Sequence, residues 1–283
     1  MTSREPSIAG AIIKAALAED VGDGDRTSEW TVPADSNSEA VIVAKQRLTV
    51  AGLAVAADVF RTVDADLSVE FRVDDSEEVD AGDVVMAIAG PTRALLTAER
   101  TALNFLGRLS GIATLTRTFV SRVEGTRAVI VDTRKTTPGW RALEKMAVRA
   151  GGGSNHRMGL HDMVLVKDNH VAASGGLTAA IERVRTSNTG LPVEVEVSTE
   201  GELTEALAAG VERILLDNMA LDRLRDAVAF VRERAGESVT LEASGNVTLE
   251  TVRDVAETGV DLISVGALTH SAPGADFSLR VTR

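Results

Sequence analysis

Residues 163–198 read MVLVKDNHVAASGGLTAAIERVRTSNTGLPVEVEVS, and the order of textures in this stretch decides the fold. A short apolar run, MVLV, stops at Lys167 and Asp168. LTAAIERVRTS then carries the spacing of an amphipathic helix, and VEVEVS alternates strictly before stopping in turn. A short β-branched strand, a helix and a second such strand make a parallel βα unit. The texture continues on both sides: VIVDTRK, ILLDN, LEASGN and LISVGAL are further strand signals. EGELTEALAAG, LDRLRDAVAFVRERA and TLETVRDVAETG are helical segments between them, several ended by Gly. From residue 129 onward the pattern predicts a β/α barrel. Six strand signals fall short of the eight of a complete barrel, so an open, incomplete barrel is expected, with a doubly wound sheet as the other architecture the pattern admits.

Upstream the texture differs. SIAGAIIKAALA, residues 7–18, has helical spacing, and EDVGDGDRTS breaks it as a polar loop whose DVGDGD fails the calcium-loop pattern. EAVIVAKQRLTV, LSVEFRV and DVVMAIAG read as strands, with GLAVAADVFRTV as a helix between the first two, which makes an α+β unit ending near residue 90. AERTALNFLGRLSGIATLTRTFVSRVEG is a long amphipathic helical region bridging two domains, with a break expected at Gly107 and Gly111.

Composition narrows the function. The chain has 283 residues, a formal net charge of -12 and no cysteine, so disulfides, thiolate nucleophiles and cysteine-based zinc sites are excluded. No apolar run spans a membrane, and MTSREPSIAG lacks a leader's basic start and apolar centre, so a cytoplasmic protein is expected. An acidic surface repels nucleic acid and anionic lipid. Against that background, Arg134 to Lys167 holds seven Lys and Arg plus His156 and His161, opposed only by Glu144 and Asp162. A local cation excess in an acidic chain points to a pocket for a small anion.

Ligands meet the C-terminal ends of parallel strands, so the residues where the runs stop are the candidates. In order they are Thr133, Arg134 and Lys135; Lys167 and Asp168; Glu196; Asp217 and Asn218; Ser244, Gly245 and Asn246; and Gly266. Alternation in VEVEVS puts Glu194 and Glu196 on one face, and Glu196, nearer the end, can point into the mouth. Taken singly, such charges are ordinarily solvated or loosely paired. GGGSNH alone reads as a flexible loop, and His161, His170 and His270 as hydrogen-bonded structural residues. Convergence on one rim changes that reading. Arg134 and Arg157 suit bidentate carboxylate or phosphate, and Lys135 and Lys167 are compact charges for phosphate or a developing anion. Glu196 and Asp217 would repel such ligands unless they hold hydroxyl groups or Mg²⁺, a pairing of demands that a sugar pyrophosphate meets. The turns at Ser244–Asn246 and Gly266–Leu268 offer backbone N–H groups to a monophosphate. Glycosyl or phosphoryl transfer is the chemistry this set predicts.

These stretches resemble the quinolinate phosphoribosyltransferase family. EDVGDGDRTS, ERTALNFLGRLSGIAT, DTRKTTPG, EKMAVRAGGGSNHRMGL, DMVLVKDNH, VEVEV, LLDN, EASGN and ISVGALTH carry the likeness in the family's order from about residue 19 to residue 270. Met146 departs from it, standing where the family commonly has an aromatic residue. The resemblance implies a homodimer, or a multiple of one, built from an N-terminal α/β sandwich over 1–110, joined by the tail 271–283, and an open barrel over 111–270. It implies the joining of quinolinate to phosphoribosyl pyrophosphate with Mg²⁺, releasing pyrophosphate and carbon dioxide and leaving nicotinate mononucleotide. It further implies that Arg134, His156, Arg157 and Lys167 surround the dicarboxylate, with Arg100 contributed by the neighbouring subunit. Lys135 would face the pyrophosphate, and Glu196 and Asp217 would hold ribose hydroxyls and Mg²⁺. The 5′-phosphate would rest on Ser244, Gly245 and Asn246 and on Gly266, Ala267 and Leu268. Two rivals stand beside it: a paralogue with another acceptor, such as one associated with molybdenum transport, and a non-catalytic anion-binding barrel.

Overall fold

Period-two alternation and helical spacing sort the chain of this computed structural model into two compact units, described over residues 8–187 and 190–282. Ser7, where the first helical reading begins, and the residues before it lie outside the described residues. One unit comprises Met1–Arg117, Thr136–Gly152 and Thr269–Arg283, the other Thr118–Lys135 and Gly153–Leu268.

The first unit begins with α1 (Ile8–Val21), which buries Ile13 and Leu17 one turn apart. The loop expected at EDVGDGDRTS contains a short helix, α2 (Arg26–Thr31). Asp25 caps it, accepting the Ser28 N–H at 3.0 Å. The first strand reading divides at Lys45–Arg47 into β1 (Asn37–Ala44) and β2 (Leu48–Thr49). α3 (Leu53–Val63) buries Val55, Ala56, Val59 and Phe60 on one face. β3 (Ser68–Phe71), β4 (Glu78–Val79) and β5 (Val84–Pro91) follow, and β4, too short for a pattern reading, pairs with β2.

α4 (Thr92–Arg122) then runs unbroken, so the break expected at Gly107 and Gly111 is absent. Those glycines serve close approach instead. A Cβ on Gly107 would lie 2.7 Å from the Ala275 carbonyl oxygen, and one on Gly111 would overlap that of Pro273, because the returning chain lies directly on the helix.

In the second unit, β6 (Val129–Val131) leads, by way of α5 (Arg141–Ala150) of the first unit, to β7 (Val164–Val166). It continues through α6 (Asp168–Ser174), α7 (Leu177–Ser187), β8 (Val193–Val197), α8 (Glu200–Ala208), β9 (Arg213–Asp217) and α9 (Leu221–Ala235). β10 (Thr240–Ser244), α10 (Val252–Ala256), β11 (Leu262–Ser264) and α11 (Ala267–His270) complete the series. The six strands are parallel, in the order β6-β11-β10-β9-β8-β7. An isolated parallel bridge from Val131 to Ser154 adds a short seventh stave beside β6, so Ser154 within GGGSNH is paired, while Gly151 and Gly152 form the turn after α5. Among the described residues no pairing joins that stave to β7, and the barrel is open there. Buried Val195, Val197, Ile214 and Leu216 take one face of the strands, which leaves the polar residues between them for the other.

β12 (Phe277–Val281) returns to the first unit as the edge of its four-stranded antiparallel sheet, β12-β1-β5-β3. Among the described residues no helix is long and apolar enough to cross a membrane.

Candidate active site

Because side chains two apart share a face, each barrel strand carries its polar residues in tiers. β8 offers Glu194 and Glu196; β9 offers Arg213, Leu215 and Asp217; β10 offers Thr240, Glu242 and Ser244. Register aligns Glu196 with Leu215 and Glu242, and Asp217 with Ser244 and Ser264. Towards the strand ends Glu196, Asp217 and Ser244 are half-buried, and below Glu196 and Ser244 the carboxylates of Glu194 and Glu242 are buried.

At the upper tier Lys167, where β7 stops, donates to Glu196 Oε2 at 2.7 Å, with the lysine 44% and the glutamate 12% exposed. The Lys167 backbone N–H is held by His170 Nδ1 at 2.9 Å, which gives that histidine a structural task. Asp217 Oδ2 accepts from the Asn218 amide at 2.8 Å, and the Asn246 amide donates to Asn218 Oδ1 at 3.1 Å. Asn218, Gly245 and Asn246 all have left-handed backbone, with φ of 50°, 101° and 52°. Two asparagines so placed in adjoining strand-end turns store strain of the kind found where a ligand is held. A Cβ on Gly245 would overlap the Asn218 amide. After β11, Gly266 and Ala267 are half-buried, and Leu268 is fully buried with its N–H 3.4 Å from the Val265 carbonyl.

Cations gather at the neighbouring stave ends. Thr133 Oγ1 accepts the Lys135 N–H at 3.0 Å, which folds the chain after β6 back on itself with Arg134 and Lys135 exposed. Arg157 follows the Ser154 stave and donates to the Met163 carbonyl at 3.1 Å. Burial and then the charge of Arg134 pull the Arg157 pKa down, opposed by Glu194 and Asp162. An anion placed between two guanidinium groups that disfavour each other at a partly desolvated rim would relieve their repulsion. Arg100 is the one expected site residue in the first unit. It is exposed on α4, beside a recess shared with Asn104, Arg108 and Asp276.

In the lower tier only His156 is an expected site residue. His156, 7% exposed at the side chain, places Nε2 2.9 Å from Glu194 Oε2 and 3.4 Å from Glu242 Oε2, while Arg213 Nη2 stands 3.7 Å from both carboxylates. Glu194 Oε1 and both Glu242 oxygens are buried without a hydrogen-bond partner. Burial raises Glu242 above the usual carboxylate range, with the Glu194 charge adding to it. Glu194 lies below its ordinary value because His156 and Arg213 outweigh its burial.

For His156, burial opposes the cation and the two carboxylates favour it, which on electrostatics alone carries the ring up to about 9. The backbone argues the other way: the Arg157 N–H points at Nδ1 from 2.7 Å, and a protonated Nδ1 has no lone pair to receive it. In the imidazolium that contact would set two hydrogens face to face, so the geometry favours the neutral ring with its proton on Nε2.

His156, Glu194 and Glu242 bring ligand atoms within 4.8 Å of one another, but Arg213 already supplies the positive charge there, so they suit a proton better than a metal ion. The missed signal was a second charge two residues before each strand-end carboxylate or turn: Glu194 before Glu196, and Glu242 before Ser244.

Sequence profiles of the quinolinate phosphoribosyl transferase N-terminal and C-terminal domains match residues 25–110 and 112–280. A probable nicotinate-nucleotide pyrophosphorylase [carboxylating] of Synechocystis is 43% identical over 269 residues, 94% of this chain and 90% of its own; that of Bacillus subtilis is 42% identical over 265 residues, 93% and 90%. The crystal structure of NadC from Streptococcus pyogenes superimposes with a TM-score of 0.92 at 38% identity, covering all of both chains.

Proposed function

The chain belongs to the quinolinate phosphoribosyltransferase family, and from that premise we propose that it joins quinolinate to phosphoribosyl pyrophosphate. Pyrophosphate and carbon dioxide leave, and nicotinate mononucleotide enters NAD biosynthesis. The observation that carries this reading is the Arg134–Arg157 pair, two mutually repelling cations at a rim that also carries Lys167. Quinolinate brings two carboxylates to that rim.

In this reading Arg134, Arg157 and Lys167 bind the dicarboxylate, and Lys135 faces the departing pyrophosphate. Ser244, Gly245 and Asn246, with Gly266, Ala267 and Leu268, receive the 5′-phosphate. Glu196 and Asp217, on adjacent strands, hold the ribose hydroxyls and stabilise the positive charge that grows on the ribosyl carbon as its bond to pyrophosphate lengthens. Attack by the pyridine nitrogen makes the ring a pyridinium, so the electron pair left by the departing carbon dioxide is stabilised next to a positive nitrogen until a proton from water forms the new C–H bond. The protein positions and neutralises, and the substrate supplies its own electron sink. Glu196 and Asp217 join no third His, Asp or Glu in a cluster among the described residues, which fits Mg²⁺ held partly by substrate oxygens. Mg²⁺ would neutralise charge on the pyrophosphate.

Arg100 serves the site of a partner subunit in this reading, in a homodimer or a multiple of it. Mixed Arg100→Ala and Glu196→Ala chains should then recover about a quarter of wild-type activity, since half the dimers are hybrids with one whole site of two. No recovery after demonstrated exchange removes the shared site. A cytoplasmic location belongs to the same reading, supported by substrates too highly charged to leave the cell unaided.

The deciding experiment is incubation with phosphoribosyl pyrophosphate, Mg²⁺ and a panel of pyridine carboxylates, with product masses recorded. Quinolinate should give nicotinate mononucleotide, and nicotinate should react very poorly, because one missing carboxylate leaves cations unpaired. Comparable yields from the two acids would refute the reading, and pyrophosphate-free binding alone would favour the non-catalytic barrel.

A further inference from the structure

We propose that Glu194 is a positioning residue for the dicarboxylate site: it accepts a hydrogen bond from Nε2–H of His156 and so keeps Nδ1 an acceptor for the backbone N–H of Arg157. The inference rests on the assignment of Arg157 to the substrate made above. Its geometry is independent of that assignment.

Both ring nitrogens of His156 are engaged within the chain, Nε2 by Glu194 at 2.9 Å and Nδ1 by the Arg157 N–H at 2.7 Å. The His156 backbone N–H is bonded to Asp132 Oδ1 at 2.9 Å, and Asp132 is fully buried. Residues 156 and 157 are thus pinned by side chains from two staves of the barrel, β8 through Glu194 and the end of β6 through Asp132. A bond at one ring nitrogen of histidine selects the tautomer presented at the other. With Nε2–H given to Glu194, Nδ1 has its lone pair directed at Arg157. With the other tautomer, Nδ1–H would oppose the Arg157 N–H and turn the backbone that carries the guanidinium. His156 therefore acts on the substrate through Arg157, and Glu194, wholly buried, acts through His156.

Arg213 and Glu242 complete the device. Arg213 stands 3.7 Å from each carboxylate, and Glu242 approaches Nε2 only to 3.4 Å, against 2.9 Å for Glu194. Glutamine at 194 retains a carbonyl oxygen that accepts Nε2–H; alanine does not. Partners one shell removed from the contact commonly carry tenfold to hundredfold effects.

The test uses the full-length enzyme. The chain has four histidines, so ¹⁵N imidazole spectra can be assigned by single substitution. Wild type should show His156 with a proton on Nε2 and an acceptor Nδ1, a pattern retained in Glu194→Gln and lost in Glu194→Ala. In steady-state assays Glu194→Ala should raise the KM for quinolinate about tenfold or more while the KM for phosphoribosyl pyrophosphate moves less than about twofold. Glu194→Gln should stay within about threefold of wild type for both. Should the alanine variant not fold, the wild-type and glutamine spectra still decide. A proton on Nδ1 in wild type overturns the proposal, as does an equal rise in both KM values or a glutamine variant as poor as alanine. Arg157→Ala with an unchanged quinolinate KM would overturn the substrate assignment, and with it the role of Glu194, while the spectra report the tautomer separately.

Discussion

Glu144 on α5 and Glu194 on β8 are equally inaccessible, both 0% exposed, yet their surroundings differ completely. Glu144 is saturated. Oε1 accepts from Arg108 Nη2 at 2.8 Å and from the Thr137 hydroxyl at 2.8 Å, and Oε2 from the Thr137 N–H at 3.0 Å. Arg108 in turn donates to the carbonyls of Ala272 and Thr269, so a single ion pair ties α4, α5 and the returning chain of the first unit. Glu194 has one good bond, to His156, with Arg213 out at 3.7 Å and an oxygen left without a hydrogen bond. A saturated buried charge fixes a scaffold. An unsaturated one leaves an oxygen without a hydrogen bond and holds its neighbours by a single contact.

The comparison can be broken most directly at the saturated end. Glu144→Ala should cost about 3–5 kcal/mol of folding stability, because it strands Arg108 and Thr137 together, and denaturant unfolding will measure it. A cost below about 1 kcal/mol would show that saturation counts for little. Lys167→Ala probes the accessible pair with Glu196. It should change stability by under about 1 kcal/mol, since the lysine is largely in water, yet cost about 2–4 kcal/mol in kcat/KM for quinolinate. Near-normal turnover would take Lys167 out of the site.

Gly245→Ala should lose about 1–3 kcal/mol, from the left-handed backbone and the collision with Asn218, and should raise the KM for phosphoribosyl pyrophosphate more than that for quinolinate. The reverse order would move the phosphate away from that turn.

The smallest effect concerns pH. Glu242 is raised by burial, so its contribution is fully present below its unfolded pKa and is lost as pH rises through the folded one. Glu242→Gln does not ionise, so the melting temperature of the variant relative to wild type should climb from pH 5 toward pH 8. A constant difference would mean that Glu242 carries no excess proton.

Legibility followed hydrophobic contrast. Strands such as ILLDN and LEASGN announce themselves because Leu and Ile must be buried on one face, and their polar stops located Asp217 and Ser244 without coordinates. The buried tier was illegible for the same reason. Arg213, Glu194 and Glu242 occupy positions where an apolar residue is the default, and reading from the strand ends passes over them. The Ser154 stave has no apolar run at all, since its pairing rests on backbone groups. Gly107 and Gly111 misled because glycine in a helix signals weakness when read locally, while here it answers a chain segment more than 160 residues away.

The edge strand β12 has a consequence for how the molecule comes into being. Ala40 is paired with Val281, and in the barrel Val129 meets Leu262, so the first strand of each sheet neighbours one that lies far along the chain. Neither sheet can be completed by local pairing. Contacts so distant in sequence slow folding and leave β-edges exposed meanwhile, so this chain should fold slowly and with a marked dependence on chaperones at high expression.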